Sequence, residues 1–215
     1  MKEKFKSIAI TVLCLSLLLA GCQQKENTLI PEDTLIPGVQ WGMTEGALRE
    51  VLGEGEFREI DAKHSWLTLP VQVGGVDAEA AFSFYLAPDG EEAFPEEGVR
   101  RLVSIEITGE QAMDAVVEKL LGAGRSGDSV GNPDAGRADS LVWQSDRTYA
   151  DLPQSSRDWL AGYQAQLFAQ GLAETETVPD DTPLWRCYVL KDDPRKLWLL
   201  GTLSWALAAE KAVAG

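Results

Sequence analysis

Histidine is nearly missing from this 215-residue chain, where His64 is the only one. A Ser-His-acid triad must therefore run through His64, and no nucleophile-elbow pattern surrounds any serine, so a partly exposed strand histidine is the plainer reading. Cysteine is scarce as well, with three in the chain. A zinc centre takes three or four His, Cys or carboxylate ligands, and His64 with Cys187 does not supply a usual set. No catalytic residue, metal or other cofactor is expected. Basic residues are outnumbered, 19 Lys and Arg against 34 Asp and Glu for a net charge of −15, which excludes nucleic-acid binding through phosphate neutralisation. Long apolar runs are lacking too: residues 8 to 19 fall short of the about 20 needed to cross a bilayer.

What the N-terminus does contain is an export signal in three parts. Lys2, Lys4 and Lys6 form the charged region, residues 8 to 19 the apolar core, and small residues follow before a cut. The stretch Leu19-Ala20-Gly21-Cys22 resembles the lipobox of bacterial lipoprotein signal peptides. The resemblance implies cleavage after residue 21 and a diacylglyceryl group on the Cys22 sulfur, and two acyl chains suffice for stable anchoring where one does not. Losing three lysines and one glutamate leaves 16 basic and 33 acidic residues, a net charge of −17. With Cys14 removed and Cys22 lipidated, only Cys187 remains, so the mature chain forms no intramolecular disulfide and depends on a packed core. Gln23 follows Cys22 where an aspartate would, by the same resemblance, signal retention in an inner membrane.

Residues 22 to 37 are polar and carry Pro31 and Pro37, and read as a flexible tether. After them the spacing predicts a helix capped by Thr44, with Leu48, Val51 and Leu52 on one face and Gly53 at its end. The period then changes to two. Leu67, Leu69, Val71 and Val73 lead to Gly74-Gly75, and Val76, Ala78, Ala80, Phe82, Phe84 and Leu86 lead away, a hairpin with a two-residue turn. An acidic loop over 88–98 precedes a strand over 102–108. Thr108 to Gln111 matches a capping box for a helix through Met113, Val116, Val117, Leu120 and Leu121, stopped by Gly122. A loop over 122–137, a strand over 139–144, a helix over 157–170, strands over 182–190 and 196–205 and an alanine-rich tail complete the chain. The expectation is an α+β fold in which a helix followed by antiparallel strands occurs twice, helices packed on one face of the sheet. Residues 38–108 form the first helix-plus-three-strand unit and 109–215 the second, with an inserted helical segment at about 147–178.

Gly42-Met43-Thr44 with Val51-Leu52-Gly53 and the Gly74-Gly75 hairpin look like the helix-then-sheet modules of the beta-lactamase-inhibitor-like group, which also holds the small lipoprotein of the outer-membrane assembly machinery. That resemblance spans residues 38 to 205 in topology and implies protein contacts rather than catalysis. The 147–178 insertion has no counterpart in it, and no functional residue carries across.

Among local patterns, Gly122, Gly124 and Gly127 spell GxGxxG, but after a helix rather than a strand, which reads as a helix stop. The acids of loop 88–98 lack the spacing of a twelve-residue calcium loop and read as solvated. Of seven tryptophans, Trp66, Trp143, Trp185, Trp198 and Trp205 accompany strands and read as core. Trp159, Tyr163 and Phe168 on the inserted helix are the candidate binding surface, since aromatics dominate interface hot spots; the alternative is that they cover the sheet. The expected function is a lipid-anchored, extracytoplasmic, non-catalytic binding or scaffolding module with a membrane and a protein as partners. A hydrolase using a carboxylate pair and a small ligand-binding lipoprotein are the alternatives.

Overall fold

The computed structural model describes residues 34–86, 99–128, 139–169, 171 and 175–204. The expected signal peptide with Cys22, the acidic loop 88–98 and the C-terminal tail with Trp205 lie outside them. The fold is mixed α+β: among the described residues, three α-helices and a single eight-stranded antiparallel sheet.

The first helix, α1 (Glu45–Leu52), starts where expected. Thr44 Oγ1 accepts the Ala47 N–H at 3.2 Å, Glu45 pairs with Arg49 at 2.8 Å, and Gly53 ends the helix at φ 92°, in the region glycine tolerates. Next come β1 (Glu56–Glu59), β2 (His64–Val73), β3 (Val76–Leu86) and β4 (Arg100–Gly109). Gly74 and Gly75 turn β2 into β3 with φ of 58° and 84°, the two positive values that a tight hairpin of this hand requires. The second half repeats the plan with α2 (Asp114–Leu121), β5 (Arg125–Asp128), β6 (Asp139–Gln144), β7 (Arg186–Leu190) and β8 (Lys196–Leu200). A single 3-10 turn (Tyr149–Asp151) and α3 (Gln154–Ala169) are inserted between β6 and β7.

The strands lie in the order β1-β2-β3-β4-β8-β7-β6-β5, so two four-stranded meanders meet through their last strands. The halves keep step in sequence. Glu45 and Asp114 open their helices, Gly53 and Gly122 close them, and Glu56 and Arg125 begin the strands that follow, each pair the same distance apart. Each unit therefore holds four strands, not the expected three. Short β1 and β5 show no apolar alternation, and β5 occupies what reads as a loop.

Three further expectations are corrected. Thr108 does not cap α2: it sits in β4 opposite Glu79 and Lys196, and the N-cap position falls to Met113, whose backbone N–H donates to the Pro194 carbonyl at 2.7 Å. Ladder hydrogen bonds outweigh a local cap. The strands after the insertion are shorter than expected, at Arg186–Leu190 and Lys196–Leu200. The tether does not extend to Pro37, because Thr34, Leu35 and Ile36 are already buried, with the Thr34 hydroxyl donating to the Ile36 and Val39 carbonyls at 3.2 Å.

One buried row crosses the sheet: Leu67, Phe82, Ile105, Leu199, Cys187 and Trp143 are successive cross-strand neighbours on β2, β3, β4, β8, β7 and β6. Leu48 of α1, Val117 of α2 and Trp41 belong to the same buried cluster. Burial at the centre of that row pushes the Cys187 thiol well above its ordinary pKa, which makes it an inert core residue. A second cluster gathers Tyr149, Leu152, Leu160, Leu184 and Leu203 around the insertion. Among the described residues no helix is long and apolar enough to cross a membrane.

Candidate functional site

Alternation along a strand sends one set of side chains into that row and the next set to the opposite face. At the β1 end of that opposite face the register collects the chain's single histidine, the half-buried Trp66 and the exposed Tyr85. His64 stands directly across from Tyr85, and Trp66 from Ser83. Arg58 lies on the other side of Trp66, and the Ile60 N–H donates to the His64 carbonyl at 3.0 Å, carrying the same row beyond β1. Tyr85 is 43% exposed and Ile60 41%.

The rings are fixed relative to one another. The imidazole of His64 meets Trp66 edge-on with centroids 5.7 Å apart, and Tyr85 at a tilt with centroids 5.3 Å apart. Trp66 Nε1 donates to His64 Nε2 at 2.7 Å, and the Ser83 hydroxyl lies 2.7 Å from the same nitrogen. An indole N–H only donates, so Nε2 carries no proton and neutral His64 holds its proton on Nδ1. Burial, opposed by the charge of Asp61 and helped by that of Arg100, holds the His64 pKa below its ordinary value. Arg100 also fixes the turn before β2, donating to the Asp61 and Ala62 carbonyls at 3.0 and 3.1 Å and pairing with Glu59 at 3.2 Å.

The Ser83–His64 contact sets a hydroxyl against an imidazole, and the geometry argues against chemistry there. A general base needs its lone pair free for the serine proton, and Trp66 already occupies it. No hydrogen bond ties the Asp61 carboxylate to the imidazole; Asp61 Oδ1 accepts the Lys63 N–H at 2.7 Å instead. Sequence reading missed this cluster because its members come from two strands and share no motif. Only the register of the hairpin, which was readable from Gly74-Gly75, places Ser83 and Tyr85 beside Trp66 and His64.

Two of the three aromatics expected on the insertion are brought together as well, Trp159 and Tyr163, and Phe168 is not shown in contact with them. Trp159 and Tyr163 stack with centroids 5.9 Å apart and planes at 16°, and both rest partly buried on the Leu160 and Leu184 cluster. Phe168 is 44% exposed. The Tyr149 hydroxyl donates to the Arg157 carbonyl at 2.8 Å, tying the 3-10 turn to α3.

Two other places have less to offer. A cavity of about 460 Å³ lies between residues 34–40, the Gly74-Gly75 turn and Leu120, and the amide nitrogen of its Gln72 is already bonded to Asp77 at 2.7 Å. Among the described residues no group of three or more His, Cys, Asp and Glu converges to hold a metal ion. In comparisons with known proteins the chain matches no family model, no curated protein and no solved structure.

Proposed function

We propose that this chain is an extracytoplasmic lipoprotein, anchored through lipid on Cys22, that works as a non-catalytic protein-docking module. In this reading α1 and α2 pack on one face of the sheet, and the partner docks on the opposite face around Ile60, His64, Trp66 and Tyr85. The observation that carries it is the internal hydrogen bonding of that face. The Trp66 N–H is already bonded to His64 Nε2, so a partner can cover the indole without leaving that donor unmet. Fixed aromatic rings beside arginine are the composition of interface hot spots. The helix-and-sheet resemblance read from the sequence points to protein contacts as well. A second reading, with the partner on α3 instead, is favoured by the exposure of Phe168.

Two experiments test the two halves of this reading. Metabolic labelling with a lipid precursor is expected to mark the wild type and leave Cys22→Ala unmarked; equal labelling removes the anchor. Cross-linking in intact membranes is expected to recover one stoichiometric protein with the wild type and at least tenfold less with Tyr85→Ala, measured at equal amounts of folded module. Equal recovery from both removes the sheet face as the docking surface.

A further inference from the structure

The hydrogen bonding at His64 has a direction, and the direction depends on one proton. We infer that docking on this face is proton-sensitive, competent while His64 is neutral and weakened once its Nε2 is protonated. The inference rests on the sheet face being the docking surface.

Nε2 has a single lone pair, and the donor-only indole of Trp66 points at it from 2.7 Å. Adding a proton to Nε2 sets two N–H groups against each other, so the indole must leave. Ser83 does not oppose the change, because its hydroxyl can turn a lone pair toward the protonated ring and accept from it. The ring that moves is therefore Trp66, which lies edge-on to His64 in the middle of the face.

The charged and titratable neighbours come from four elements. Arg58 of β1 faces Trp66, Glu59 of β1 pairs with Arg100, and Asp61 and Lys63 lie in the turn before β2. Tyr85 of β3 lies across from His64, and Arg101 of β4 lies across from Tyr85. Asp61 favours the protonated ring, and so does the tilted Tyr85 ring, by a cation–π contact. Burial and Arg100 oppose protonation, and the balance lies below the ordinary histidine value. The sign follows. A histidine whose folded pKa is depressed stabilises the assembled face above its unfolded pKa, and that contribution is lost as the pH falls through the folded pKa.

Because the chain has one histidine, its ring resonances report this site alone. Titration of the whole folded module by NMR is expected to show the Nδ1–H tautomer at neutral pH and a midpoint below the ordinary value of about 6.5. The Trp66 indole N–H is expected to shift with the same midpoint. An Nε2–H tautomer, a midpoint at or above that value, or an indole signal blind to it overturns the inference. With the cross-linked partner in hand, affinity is expected to fall below that midpoint with a slope approaching tenfold per pH unit in the wild type. In His64→Gln, whose amide oxygen accepts without titrating, the ratio of affinities at high and low pH is expected to be close to one. The same slope in both proteins overturns the inference. The NMR measurement needs no partner, so if the midpoint and the indole shift agree while no partner is recovered, the docking reading fails and not the proton linkage.

Discussion

Replacing Phe82 with alanine is expected to lower the free energy of unfolding by about 3–5 kcal/mol. Phe82 is fully buried on β3, between Leu67 of β2 and Ile105 of β4, in the row that runs on through Leu199, Cys187 and Trp143. Both flanking strands have ten residues and pair with β3 on either side of Phe82, with a register shift on the β4 side only beyond Ser83, so the walls of the vacated space have little freedom to close. The cost therefore includes a cavity as well as lost burial. Urea unfolding checks it. The midpoint should fall with the slope unchanged, and Glu79→Ala, an exposed position on the same strand, should move it by less than about 0.5 kcal/mol. A loss below about 1 kcal/mol for Phe82→Ala contradicts a sealed core row.

Gly124→Ala is expected to cost about 1–3 kcal/mol although it adds a single methyl group. The added Cβ would stand 2.6 Å from Cζ2 and 2.7 Å from Cε2 of Trp143. That indole is 5% exposed and donates to the Gly122 carbonyl at 2.7 Å, so it cannot swing aside without giving up a hydrogen bond. Gly162→Ala makes the opposite test within the same protein. It lies in α3 with nothing within 4 Å of the added atom, and the gain in helix propensity is about 1 kcal/mol. Thermal unfolding of the two variants should move in opposite directions. If Gly124→Ala leaves the midpoint unchanged, the close approach of Gly124 to Trp143 is wrong.

These positions also mark how much of the molecule was readable in the residues. The β2–β3 hairpin was, because alternation runs uninterrupted to both sides of Gly74-Gly75. So were the bounds of α1, because its cap, its buried Leu48 and its terminal glycine agree, but Val51, read on the same face as Leu48, is exposed. The helix stop read from Gly122 also holds: Gly122 closes α2 at φ 83° and Gly124 makes room for Trp143. What could not be read depended on partners distant in sequence. Glu56–Glu59 and Arg125–Asp128 are too short and polar to announce strands, and exist because β2 and β6 offer them ladders. Thr108 and Gln111 have the letters of a capping box, yet Thr108 is claimed by two neighbouring strands. The joining of the two meanders through β4 and β8 depends on residues 104–108 meeting 196–200, a pairing no local pattern encodes. His64 was visible as the lone histidine at the start of a strand. Its meaning was not, because the atoms that define it belong to Trp66 on its own strand and Ser83 on the next.

The proposed docking face is tested most directly by measuring partner affinity for Tyr85→Ala and Phe168→Ala side by side, since the two side chains are almost equally exposed, at 43% and 44%. Truncating an anchor at the centre of an interface costs about 2 kcal/mol or more, so Tyr85→Ala is expected to weaken binding at least tenfold while Phe168→Ala stays within twofold of the wild type. The reverse pattern, with Phe168→Ala weak and Tyr85→Ala unchanged, contradicts the sheet face and moves the partner to α3.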